Sequence, residues 1–195
     1  MRGRPLRTHV NGTMLRVDLP SAIAPGARAQ FRLRWTVNLP GNPALGGRSG
    51  YECFDTDGNC IFAAGYWFPR LTVYSSASGW QYKPFLGGGE YALEFGDYDV
   101  SLTVPADHIV AATGELANPA QVLSPSQRER LRKARDAAAP VMIVTPDEAE
   151  AAESRRSEGS KTWRFRAENV RDFAFASSRK FIYMEIGRAS CRERV

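Results

Sequence analysis

The residues of this 195-residue chain with the most chemical potential are two histidines, three cysteines and a scatter of carboxylates. His9 and His108 have no neighbour at the spacing of a His-Glu-x-x-His helix, so the obvious zinc-peptidase site is excluded from this chain. His108 follows Pro105-Ala106-Asp107 at a strand end, where a turn histidine hydrogen-bonded to backbone is expected. Asp55, Asp57 and Asn59 alternate around Gly58 in the manner of a calcium loop. An EF-hand loop needs its glycine after the third ligand and a distant bidentate Glu, so a hairpin turn is expected instead. Gly87-Gly88-Gly89-Glu90 lacks the Lys-Ser/Thr and the following helix of a phosphate loop, and reads as a flexible entry to a strand. Ser75-Ser76-Ala77-Ser78 has neither a paired histidine nor elbow glycines, and reads as a loop. Cys191 lies in an arginine-rich segment without a fold signal and receives no role. No catalytic residue and no metal site is expected within the chain.

Cys53 and Cys60 flank Asp55-Thr56-Asp57-Gly58. A four-residue hairpin loop there sets the cysteines opposite each other, about 4.5–5.5 Å apart and within disulfide range. A two-residue turn at Asp57-Gly58 shifts the register and separates them. The first geometry would imply an oxidising compartment.

The elements that must hold these residues are mostly strands. Phe31, Leu33, Trp35 and Val37 alternate with Gln30, Arg32, Arg34 and Thr36, as in a strand with one buried face. Tyr98, Val100, Leu102 and Val104 repeat the pattern. Further strands are expected at 13–19, 60–64, 71–74, 91–95, 109–116, 141–145, 162–167 and 170–176, separated by Gly, Pro, Asn and Asp turns. Two short helices carry the same start signal. Ser124-Pro125-Ser126-Gln127 opens one to about residue 138, and Thr145-Pro146-Asp147-Glu148 opens another to about residue 154. The fold class is therefore mainly β, a sandwich or curled antiparallel sheet with two short helices, and the length favours one domain. There is no internal repeat.

A net charge of +5 and a pI near 9.3 raise the question of nucleic acid. The basic residues form no clustered tract or recognition motif, and the basic helix is diluted by Glu129 and Asp136, so no nucleic-acid partner is expected. No run of about 18 apolar residues exists, so no membrane span is expected. The basic start Met1-Arg2-Gly3-Arg4 lacks the apolar core of a secretory signal. That leaves a cytoplasmic protein or a chain whose true start lies upstream, with a periplasmic or secreted parent favoured.

Several blocks, weak singly, gain specificity from their order across residues 8–181. They are Gly65-Tyr66-Trp67-Phe68-Pro69-Arg70, Gly79-Trp80, Gly89-Glu90-Tyr91, Phe95-Gly96-Asp97-Tyr98-Asp99-Val100, Val104-Pro105-Ala106-Asp107-His108, Ala112-Thr113-Gly114-Glu115-Leu116 and Val170-Arg171-Asp172-Phe173-Ala174. Together they resemble the amino-terminal, non-catalytic β-domain of bacterial aminopeptidase N-family zinc metallopeptidases. The resemblance implies a saddle-like β-structure, truncated at both ends, over residues 1–183. It also implies a missing catalytic domain of the same chain as partner, zinc in that parent and none here, and a peptide substrate. The family often has Gln before its Trp-Phe-Pro-Arg block, facing substrate. Tyr66 stands there in this chain, and Tyr66 and Trp67 are carried over as a substrate-pocket wall. A tyrosine packed at a domain interface is the bland reading of the same residue.

Residues 184–195 resemble translated adaptor sequence and are expected to be a non-native tail, disordered or an accidental helix. The function these readings imply is a non-catalytic scaffold fragment of a zinc aminopeptidase that removes amino-terminal residues from peptides. The alternative is a stand-alone β-sandwich binding module for carbohydrate or protein, using aromatics such as Trp67, Tyr74, Trp80 and Tyr82.

Overall fold

The strongest alternation in the sequence becomes the longest ladder. β7 (Gly96–Pro105) pairs antiparallel with β11 (Ser160–Val170), with Val100 opposite Phe165 and Leu102 opposite Trp163. Odd positions of β11 face inward: Trp163, Phe165 and Ala167 are buried, whereas Arg164 and Arg166 are exposed. This is the computed structural model of the chain, and it describes residues 5–41, 48–89 and 92–186.

The chain divides into two compact units, one of Met1–Thr36 with Phe68–Glu94 and the other of Val37–Trp67 with Phe95–Val195. In the second unit, β9 (Glu115–Leu116) completes a three-stranded sheet ordered β7-β11-β9. A four-stranded antiparallel sheet is ordered β3-β4-β12-β8, from β3 (Ser49–Cys53), β4 (Cys60–Ala64), β8 (Ile109–Ala112) and β12 (Phe175–Ser178). A two-stranded sheet pairs β10 (Val141–Val144) with β13 (Tyr183–Glu185).

The chain crosses from the three-stranded to the four-stranded sheet between β11 and β12. The ladder shifts register between Ala167 and Val170, where Asn169 takes a left-handed φ of 53°. Asp172 then accepts a hydrogen bond from the Phe173 amide (2.8 Å). Phe173 is fully buried at this crossing, edge-on to Phe165 and tilted against Tyr98, while Phe165 stacks parallel to Trp163. The expected strand at 162–167 lies within β11, whereas that at 170–176 is broken: Val170 ends β11, 171–174 form the crossing, and only 175–176 fall in β12, which belongs to the other sheet.

Gly114 illustrates how tightly β8 and β9 approach this ladder. Its φ is +87°, and an added Cβ would stand 2.2 Å from the Arg166 carbonyl oxygen, so no other residue fits without moving backbone.

Three helices are present among the described residues: α1 (Pro119–Val122), α2 (Pro125–Ala134) and α3 (Pro146–Ser154). α2 and α3 start at the capping boxes read from sequence, with Gln127 N donating to Ser124 and Glu148 N to Thr145. α2 stops at Ala134, short of residue 138, and the single turn α1 is additional to the two expected.

The first unit holds the hairpin of β1 (Arg7–Asn11) and β2 (Met14–Asp18), and the small hairpin of β5 (Tyr74–Ser75) and β6 (Gly79–Trp80). The expected strand over 30–37 does not form a ladder. Phe31, Trp35 and Val37 remain 53%, 45% and 48% exposed, and among the described residues no strand pairs with this segment to bury one face. Segment 71–74 shrinks to β5 and a bridge between Thr72 and Leu93. Tyr91 and Glu90 lie outside the described residues, as do Cys191 and residues 187–195 of the expected tail. Met184 and Glu185 are neither disordered nor helical: they belong to β13, where β10 offers an edge to pair with.

Candidate functional site

Tyr66 and Trp67 follow directly from the end of β4. Gly65 lies so close to the chain before β3 that a Cβ there would meet the Arg48 carbonyl at 2.8 Å, and its amide donates to that carbonyl (3.0 Å). The Ser49 hydroxyl closes the corner by donating to the Gly65 carbonyl. Out of this corner Tyr66 emerges with φ 49°, one of two non-glycine residues in the left-handed region among those described. The residue is 44% exposed, with the Arg48 guanidinium 5.9 Å from the ring centre.

Trp67 is fixed differently. Its indole Nε1 donates to the Phe173 carbonyl (2.9 Å) and its ring meets Phe175 edge-on at 5.4 Å. The two residues named together from sequence therefore have distinct settings. Trp67 is an anchor on the segment joining β11 to β12, and Tyr66 is an exposed ring on a strained backbone.

Cys53 and Cys60 are directly opposed across β3 and β4 and joined by a disulfide, with Cα atoms 4.0 Å apart. The loop they close is the four-residue hairpin: Phe54 N donates to Asn59 O and Gly58 N to Phe54 O. Its acidic residues hold a cation from the chain itself. The Lys180 ammonium donates to Asp57 and to Glu153 of α3 (2.9 Å), beside the Phe54 ring. This bond, with the Asn59 amide, lowers the Asp57 pKa to about 2.

Next to it lies a grouping that sequence reasoning missed. His108 Nδ1 is 2.9 Å from the Ser177 hydroxyl, and Asp107 Oδ1 is 4.0 Å from His108 Nε2. The residue types are those of a serine hydrolase triad, but the setting is not. Ser177, on β12 between β4 and β8, is 3% exposed, and His108, just before β8, is 5% exposed, so both lie in the interior. Asp107 is engaged by the Ser157 amide (2.9 Å) and by Arg179 (3.3 Å), and Arg179 also donates to buried Asn59 (2.9 Å). Burial lowers the His108 pKa, which favours the neutral form of the ring. A backbone partner was expected for this histidine. The hydroxyl lies 69 residues further on, a distance no local motif spans.

A shallow groove of about 360 Å³ on the outer face of the three-stranded sheet is lined by Asp99, Ser101, Asn118, Gln121, Arg164 and Arg166. Asn118 is committed to backbone, donating to Thr162 O (2.9 Å) and accepting from Arg164 N (2.8 Å). Arg166 pairs with Asp99 at 3.3 Å, both well exposed. The groove contains no nucleophile and base in contact.

Among the described residues, no group of three or more His, Cys, Asp or Glu is arranged to hold a metal ion, and no helix is long and apolar enough to cross a membrane. In the first unit, the Tyr74 and Trp80 rings meet edge-on at 5.2 Å and remain 57% and 50% exposed, beside Tyr82 at 70%. No protein family, curated protein or solved structure matches the chain.

Proposed function

We propose that this chain is the non-catalytic β-scaffold of a zinc aminopeptidase, with Tyr66 forming part of a wall against which the substrate's amino-terminal residue is held. The observation that carries the proposal is the corner at Tyr66. An aromatic ring held half-exposed on a left-handed backbone costs about 1–2 kcal/mol, and such strain persists only where surrounding contacts over-determine it. Here the Gly65–Arg48 contact and the Trp67–Phe173 hydrogen bond supply that constraint. A rigid aromatic platform suits apolar contact with a side chain, whereas the Gln usual in the resembled family suits polar contact.

Zinc, a general base and an amine-binding carboxylate would come from a catalytic domain of the same parent chain. The division of labour is then binding and orientation here, and water activation there. In a protein that contains both parts, Tyr66→Ala should raise KM for substrates with large apolar amino-terminal residues about tenfold, which is within the range for losing one apolar contact, and leave kcat nearly unchanged. Equal loss across all substrates would defeat the wall assignment.

The binding-module reading rests on a separate observation, the exposed Tyr74–Trp80 pair with Tyr82. Quenching of tryptophan fluorescence by oligosaccharides, abolished by Trp80→Ala, would favour it over the scaffold.

A further inference from the structure

The loop between β3 and β4 is closed twice. The ladder already pairs Ser49 with Ala64 through to Cys53 with Cys60, and turn bonds from Phe54, Gly58 and Asn59 complete the hairpin. The entropic effect of a cross-link grows with the length of loop it closes, so one spanning seven residues in a pre-registered hairpin adds comparatively little to global stability. Locally, the cross-link constrains the 54–59 loop that it closes.

This loop meets two other parts of the second unit through three cations. Lys180 bonds Asp57, Arg179 bonds Asn59 Oδ1 (2.9 Å), and Arg156 bonds the Gly58 carbonyl (3.2 Å). The Asn59 side-chain amide also donates to the Glu153 carbonyl at the end of α3 (3.4 Å), and the Ser178 hydroxyl donates to the Cys60 carbonyl (2.9 Å). The loop thus holds both the segment after α3 and the segment after β12, which runs through Lys180 into β13. Cys53 is exposed on β3, the edge strand of its sheet, where a reductant can reach it.

We propose that the Cys53–Cys60 disulfide is a redox-operated clasp on the 178–185 segment. Oxidised, it fixes the 54–59 loop in the shape that grips Lys180, Arg179 and Arg156. A dithiol reductant opens it. One thiolate attacks the Cys53 sulfur, the S–S bond breaks and the Cys60 thiolate leaves. The second thiol then resolves the mixed disulfide, so the reductant becomes a disulfide and Cys53 and Cys60 take up two electrons and two protons. The proposal is independent of the aminopeptidase reading.

The test is hydrogen exchange by mass spectrometry on the whole chain, before and after dithiothreitol, with alkylation confirming a gain of two thiols. Exchange within 54–59 and 178–185 should speed up about tenfold or more while β7 and β11 keep their protection, as expected of a local opening. Lys180→Met, kept oxidised, should release 178–185 without reduction. Unchanged exchange in 178–185 after confirmed reduction would overturn the clasp. So would loss of protection throughout the second unit, the mark of a plain structural staple, or failure of the two thiols to pair under mild oxidant. A Lys180→Met variant with native protection at 178–185 would overturn the proposed link.

Discussion

Tyr66 and His108 are the residues whose settings depart furthest from the ordinary. At Tyr66 the left-handed backbone is relieved most fully by glycine, so Tyr66→Gly should be neutral or stabilise by up to about 1 kcal/mol despite losing the Arg48 contact, whereas Tyr66→Ala loses that contact, keeps the strain and should destabilise. Urea unfolding of the two variants side by side reads that difference in sign. Nothing in a single sequence marks Tyr66 as left-handed, because positive φ at a tyrosine is dictated by the packing of Gly65 on Arg48 rather than by local preference. At His108, burial depresses the pKa below 6.5, with Arg179 and Lys161 adding to the effect and Asp107 opposing it. The unfolded chain therefore takes up its proton first as pH falls. The stabilising contribution is complete above pH 6.5 and is lost as pH drops through the lower folded value. Stability between pH 7 and 5 should decline in the native chain and decline less in His108→Gln. An equal decline in both would place the titration elsewhere. Asp57 titrates far lower, near 2, and stays outside that window.

At the scale of elements, capping and ladder position decide what each change costs. Both helix starts were legible because a capping box is a local chemical pattern, and the helices obey it. α3 has further support: Arg130 from α2 donates to Glu148 (2.6 Å) and to the Ile143 carbonyl (2.9 Å), while Glu148 accepts from the Thr145 amide (3.0 Å). Thr145→Ala should accordingly cost about 1–2 kcal/mol and Ser124→Ala about 1 kcal/mol, with thermal denaturation ranking the two. The β11–β12 crossing was legible only as two apolar segments. Which sheet each joins depends on pairing with β7 and β4, at separations of about sixty residues or more that periodicity does not encode. Segment 30–37 shows the converse, a period-two pattern without a ladder, because alternation describes a face and not its partner. Phe173→Ala at the crossing should cost about 3–5 kcal/mol, since it empties a site shared by Phe165 and Tyr98.

At the scale of the molecule, burial and charge are unevenly distributed. Every fully buried residue among those described lies in the second unit, and none lies in Met1–Thr36 or Phe68–Glu94. That first unit also carries nine basic against three acidic residues, more than the whole net charge of +5. The sequence showed the basic excess but not its segregation, because the two stretches that form the unit are separated along the chain. Amides of the first unit should exchange faster than those of β7 and β11, since local stability follows buried contact. The mainly antiparallel architecture agrees with the sequence reading. The aminopeptidase proposal requires a catalytic part in a longer parent chain, so the most direct measurement is to determine that parent's coding sequence beyond residue 183. The account predicts a His-Glu-x-x-His helix followed by a further Glu ligand in the same reading frame. A natural continuation without that motif, or a stop codon before it, would contradict the account.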